Sequence, residues 1–101
     1  MGEYQATITY MRPRHFGSGA DGAVVPSGET MRFGGELVVA YVRPEAASDV
    51  RPDAPFEGRV LFMSRIEQEH PFEPGQELEI VMPGSEAMQV IGRCVVREKV
   101  G

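Results

Sequence analysis

One cysteine (Cys94) and one lysine (Lys99) occur in the 101 residues, and each scarcity excludes something. A lone cysteine permits no internal disulfide and no multi-cysteine metal site. No G-x-x-x-x-G-K-[ST] segment occurs, so there is no phosphate-binding loop of the P-loop kind. No stretch approaches the roughly 20 consecutive apolar residues of a membrane helix, and no membrane partner is expected. The start, MGEYQATITYMRPR, has no apolar run behind a basic head, so no secretory leader is read there and the expected location is cytoplasmic. Uninterrupted helical windows are also scarce. Twelve glycines and eight prolines punctuate the chain so closely that few segments hold three helical turns.

What is present has a period of two. In YQATITYM, Tyr4, Ala6, Ile8 and Tyr10 share one face and Gln5, Thr7 and Thr9 the other. In QELEIVM, Leu78, Ile80 and Met82 oppose Glu77 and Glu79. Half-buried strands produce this alternation, because successive side chains point to opposite faces. ELVVAYV (36–42) and RVLFMSRI (59–66) are nearly continuous apolar runs, as expected of strands covered on both faces. ETMRF (29–33) and MQVIGRCVVRE (88–98) complete the set. PEAASDVR (44–51), bounded by prolines, reads as part of a loop. These features predict one all-β domain over residues 1–101. It is a small, closed or partly open antiparallel barrel of five to six strands, with long loops at about 12–28 and 44–57.

A net charge of −5 argues against non-specific nucleic-acid binding, which needs a basic footprint. The charges are uneven, however. Arg12, Arg14 and His15 sit together, whereas Glu67, Glu69, Glu73, Glu77 and Glu79 cluster near position 70.

The segment PFEPGQELEIVMP resembles part of the C-terminal β-barrel of elongation factor Tu, with its proline, its glycine and then alternating apolar and acidic residues. VIGRCVVREK resembles the last strand of that barrel, and VVPSGETMRF its second strand with the entering loop. In order, these matches run from about Tyr4 to Lys99. The family's glycine-glycine-arginine signature is replaced by Ala20-Asp21-Gly22, and the segment between Met82 and Gln89 is short for its penultimate strand. In that family the barrel contacts a GTPase domain and a tRNA stem. The resemblance therefore implies a binding module without catalysis.

GSGADG (17–22) fits the letters of a dinucleotide fingerprint. The chemistry of that motif requires a helix immediately after the last glycine. Here AVVPSGE comes next, and its β-branched pair and proline forbid one, so no nucleotide and no cofactor is expected. The loop of Arg12 to Gly28 reads as mobile, with Arg14, His15 and Phe16 forming a small amphipathic contact that orders on a partner. Arg93 and Arg97 share a strand face with Ile91 and Val95, which makes a second candidate contact strip. Cys94, on the face of Val90 and Val96, reads as a buried, inert thiol rather than a nucleophile. His70 among its glutamates matches no recognised ligand spacing, so no metal is expected. The binding candidates are thus Arg12, Arg14, His15, Phe16, Arg93 and Arg97. The expected partner is a protein, with RNA as the alternative that net charge disfavours, and an enzyme with an unrecognised site as the second alternative.

Overall fold

The structure is a computed structural model that describes residues 2–63, 69, 71–83 and 88–100. Six strands are formed: β1 (Gly2–Tyr10), β2 (Ser27–Phe33), β3 (Glu36–Pro44), β4 (Phe56–Phe62), β5 (Glu77–Pro83) and β6 (Met88–Lys99). They close into a barrel in the order β1-β4-β3-β2-β5-β6. Every neighbouring pair is antiparallel, including the closing pair of β1 with β6. Closure gives each strand a partner on both sides, which is the most complete way to satisfy backbone hydrogen bonds in a chain so poor in helix.

The alternation in β1 is realised residue by residue, with every even position from Gly2 to Tyr10 buried and every odd one half-exposed. Between β2 and β3 the chain turns on Gly34 and Gly35, both at positive φ (56° and 88°). A two-residue hairpin turn with this backbone matches the twist of its strands, and glycine adopts it without a Cβ clash. Elsewhere glycine permits close approach. A Cβ on Gly92 would lie 2.5 Å from the Thr9 carbonyl oxygen, and one on Gly58 would lie 2.7 Å from that of Arg43.

The barrel interior holds Ile8, Met31, Val38, Val42, Val60, Leu78 and Ile80 in one continuous core with aromatic groups at either end. At one end Phe72, from the connection before β5, packs on Phe62 and Phe33 with ring centroids 4.7 and 5.0 Å apart. Its backbone N–H donates to the Tyr4 hydroxyl at 3.1 Å. At the other end Tyr10 stacks on Phe56 at 6.0 Å, and Phe16 lies against it at 6.2 Å. The 3–10 turn of Ala47–Asp49 belongs to the connection that closes below this end, where the Asp53 N–H donates to the Tyr10 carbonyl at 2.7 Å.

Several expectations are corrected. The runs in β3 and β4 are not covered on both faces. Val38, Ala40 and Val42 are buried, whereas Leu37, Val39 and Tyr41 between them are exposed, because a single closed sheet has only one interior. β2 begins at Ser27 rather than Glu29, and β4 runs from Phe56 to Phe62. The expected continuation of β4 over 64–66 lies outside the described residues, as do Glu67 and His70. In β6 a register shift opposite Ile80/Val81 leaves Ile91 as an extra residue. Ile91 is consequently buried and Val90 only half-buried. Cys94 therefore keeps company with Gly92 and Val96, and the outward strip is Arg93, Val95 and Arg97 without Ile91.

Candidate functional site

Two surfaces stand out, a cleft at the Tyr10 end of the barrel and the outer face of β3.

The cleft arises where two strands part. β2 and β5 pair only at Thr30, Met31 and Arg32. Above Thr30, the residues Ser27, Gly28 and Glu29 keep their β3 partners but have none on β5 among the described residues. The β6 bulge lies at the same height. Ile80 and Val81 are both buried, as are Ile91 and Gly92, so alternation breaks on both strands at one place. Bulges bend and over-twist a sheet and re-aim its side chains. The result is a cleft of about 370 Å³, with Gly28, Glu29 and Thr30 on one side and Val81, Met82 and Ile91 on the other. Arg12, Pro13 and Arg14 cross its rim, and Tyr10 and Val39 complete the lining.

Its polar groups are unusual for a barrel interior. Glu29 sits on the inward face of β2, with its side chain 7% exposed. Arg14 neutralises it, with Nε and Nη2 donating to Oε1 at 3.1 and 2.6 Å, and Nη2 also bonding the Ser27 hydroxyl. The Arg14 guanidinium lies 5.4 Å from the centroid of the Phe16 ring and 6.0 Å from that of Tyr10, a cation–π arrangement. The Tyr10 hydroxyl is fully buried beside this pair, close enough for both its charges and its hydrogen-bonding groups to act on it. Burial first, and then the Glu29 charge, push it far above its ordinary range. It therefore stays protonated, with the Glu29 carboxylate as the neighbouring acceptor.

The six candidate residues fall in three places. Arg12 is exposed on the rim of the cleft and forms no ion pair among the described residues. Arg14 and Phe16 turn inward, Arg14 to Glu29 and Phe16 to the core, while His15 between them is exposed. Arg93 and Arg97 lie on β6, opposite β3 across the barrel. Arg93 faces Glu77 at 3.5 Å, and the Arg97 Nε donates to the Thr7 hydroxyl at 3.0 Å.

The loop that reads as mobile instead closes on itself. Ser18 and Val24 form a β-bridge, flanked by Gly19 N–H to Ala23 O at 2.7 Å and Val25 N–H to Gly17 O at 2.8 Å. The three glycines of GSGADG thus belong to a small hairpin, with Gly22 at φ 81°. The next element after Gly22 is a strand, β2, and not a helix.

Sequence reasoning missed Tyr10, Glu29 and the outer face of β3. The signal for Glu29 was available, since an acid two residues before Met31 on the same strand face must point inward.

Among the described residues, no helix is long and apolar enough to cross a membrane, and no group of three or more His, Cys, Asp and Glu is placed to hold a metal. Comparison with known protein families, with curated proteins and with solved structures found no match.

Proposed function

We propose that this barrel is a non-catalytic binding module that holds a protein partner on the outer face of β3 and its neighbour β4. One observation carries the reading. Leu37, Val39 and Tyr41 project from the outside of β3 at 47%, 51% and 43% exposure, with Met63 beside them at 45%. Leu61 extends the patch on β4, opposite Tyr41 in register. The Tyr41 ring lies across Gly28, 3.5 Å from where a Cβ would stand, which holds it flat against the sheet. Scattered apolar residues on a surface need no explanation, but a contiguous patch marks a contact site. Strands this apolar on both faces ordinarily lie between two layers, and here the second layer is the partner. Arg43 borders the patch without an ion pair among the described residues. The matching surface is therefore apolar with a carboxylate at its edge.

The charge balance favours protein over RNA. The net charge is −5 and Arg93 already faces Glu77 at 3.5 Å, whereas phosphate binding needs a basic footprint. The resemblance to the elongation factor Tu barrel points the same way, since that barrel works by contact.

The test compares wild type with Val39→Glu as immobilised bait. The variant is expected to fold with unchanged circular dichroism and melting, because Val39 is exposed, and to lose the proteins that wild type retains. Equal capture by both, or retention of RNA that falls steeply with salt, overturns the reading.

A further inference from the structure

The cleft at the Tyr10 end is separate from the outer patch of β3 and β4, although Val39 borders both. Beside it the sheet has an unfinished seam. β2 and β5 pair only over Thr30, Met31 and Arg32, yet both strands run on past Thr30, β2 back to Ser27 and β5 out to Pro83. We propose that this seam takes up an extended polypeptide segment, which adds to the edge of β2 as a short extra strand and lodges one apolar side chain in the cleft.

The direction of the main-chain groups carries the proposal. The Met63 N–H donates to the Val39 carbonyl at 2.9 Å, and the Glu45 N–H donates to that of Glu57 at 3.2 Å. Odd-numbered residues of β3 therefore turn their N–H and C=O toward β4, and even-numbered ones turn theirs toward β2. Ala40 and Val42 stand opposite Glu29 and Ser27, and Tyr41 between them stands opposite Gly28. Bonded and non-bonded pairs alternate along an antiparallel ladder. Glu29 and Ser27 thus bond to β3, and Gly28 faces away from it. Thr30 faces the same way as Gly28 and is met by Val81 of β5. Gly28 is met by nothing. Among the described residues its N–H and C=O have no partner on β5 or in the loops.

Gly28 is also exposed, so another chain can reach both groups. A free donor and a free acceptor on one residue of a strand edge match the N–H and C=O of an added strand. A Cβ on Gly28 would stand 3.5 Å from the Tyr41 ring, which is on the outer face, so the seam side of this residue presents main chain alone. The cleft supplies the other half of the site. Its volume of about 370 Å³ lies within the roughly 300–1,000 Å³ of ligand clefts, and a cavity of about 150 Å³ accepts a benzene ring. One side chain the size of leucine or phenylalanine fits against Val81, Met82 and Ile91. The main-chain bonds give affinity, and this pocket selects the side chain.

The experiment is amide-resolved NMR of the whole chain with millimolar acetyl-threonyl-threonyl-leucyl-threonyl-threonine amide. The control is the same peptide N-methylated on the two threonines that flank the leucine. With leucine in the cleft, the N–H groups of those threonines are the ones that face β2. In the free chain the Gly28 amide is expected to exchange freely with solvent while those of Glu29 and Thr30 are protected. The peptide should slow Gly28 exchange about tenfold or more and shift signals centred on Gly28–Thr30 and Val81–Met82. The N-methylated form should bind about tenfold more weakly, the loss of one hydrogen bond. Gly28→Ala should keep the affinity, because its Cβ points to Tyr41, and Gly28→Pro should lose it with the donor. The exchange rate and the control peptide decide the matter on the wild-type chain, whether or not Gly28→Pro folds. A Gly28 amide already protected in the free chain or an absence of shifts overturns the proposal. Equal binding of the N-methylated peptide also overturns it, by leaving a pocket for apolar groups alone. None of these readouts uses Val39→Glu or capture at β3, so failure here and failure of the proposed function are distinguishable.

Discussion

Cys94 illustrates how a side chain's chemistry is set by its neighbours. It lies on the inward face of β6 with no exposed surface, paired in register with Leu78 on β5 and Ile8 on β1. Burial alone pushes its thiol from 9.0 up to about 12. A group whose folded pKa is raised contributes stability that is fully present below the unfolded value and is lost as pH rises through the folded one. Stability should therefore be insensitive to this residue below pH 9 and then fall by up to about 1.4 kcal/mol per pH unit above it. Tyr10 adds to the fall at higher pH, since its hydroxyl is raised from 10.0 in the same direction. Urea denaturation at a series of pH values from 8 to 10 measures this, and Cys94→Ala should flatten the segment above pH 9. The same burial makes labelling by Ellman's reagent slow in buffer and fast in denaturant. Rapid labelling of the native protein would contradict this environment.

At the scale of elements, the glycines in strands and in loops have different duties. Gly92 stands where β6 crosses close to β1, and a Cβ there would lie 2.5 Å from the Thr9 carbonyl oxygen and 3.3 Å from the Tyr10 Cα. Both are backbone atoms of a paired strand, so they cannot move aside without breaking the β1–β6 ladder. Gly17, in the loop hairpin, has nothing within 4 Å of the equivalent position and no positive φ. Gly92→Ala is expected to cost more than about 2 kcal/mol and Gly17→Ala to stay within about 0.5 kcal/mol, as read from chemical denaturation of the two variants side by side. Equal effects would mean that β1 and β6 are not held as closely as the register implies. The same closeness explains the β6 bulge. With Gly92 fixed against Tyr10, the extra residue Ile91 is absorbed before it, and this turns Ile91 into the barrel and shapes one wall of the cleft.

For the whole molecule, closure is the governing fact. The first strand pairs with the last, and each also pairs with another strand, β1 with β4 and β6 with β5. Loss of any strand exposes two edges and opens the one core that all six share. The barrel should accordingly unfold in a single step. Far-ultraviolet circular dichroism, which follows the strands, and near-ultraviolet signals from Tyr4 and Tyr10, which follow packing at opposite ends, should give the same urea midpoint. Separate midpoints would show that side-chain packing is lost independently of the strands. Because β1 meets β6 only after nearly the whole chain is placed, folding is expected in the millisecond-to-second range of barrels with non-local pairing.

The strands were legible in the sequence because alternation is a local consequence of the pleat. Tyr4 through Tyr10 on β1 and Leu78 with Ile80 on β5 face the core as their spacing requires. The turn glycines and the poverty of helical windows made an antiparallel barrel the natural closure. Met82 marks where that logic ends, because it continues the Leu78–Ile80 alternation and is nevertheless exposed. The bulge opposite it is a property of two strands in register, not of either one. Arg14 and Phe16 were visible as an amphipathic pair, yet only the tertiary structure supplied Glu29 and Tyr10 as their partners and so turned them inward. The apolar runs of β3 and β4 determined that these strands would be buried on at least one face. Whether a second layer covers the other depends on how a single sheet closes, and this sheet closes on itself. Periodicity along the chain thus determined which residues are strands, whereas the cleft and the bare outer face come from distances between strands, which a one-dimensional pattern does not contain.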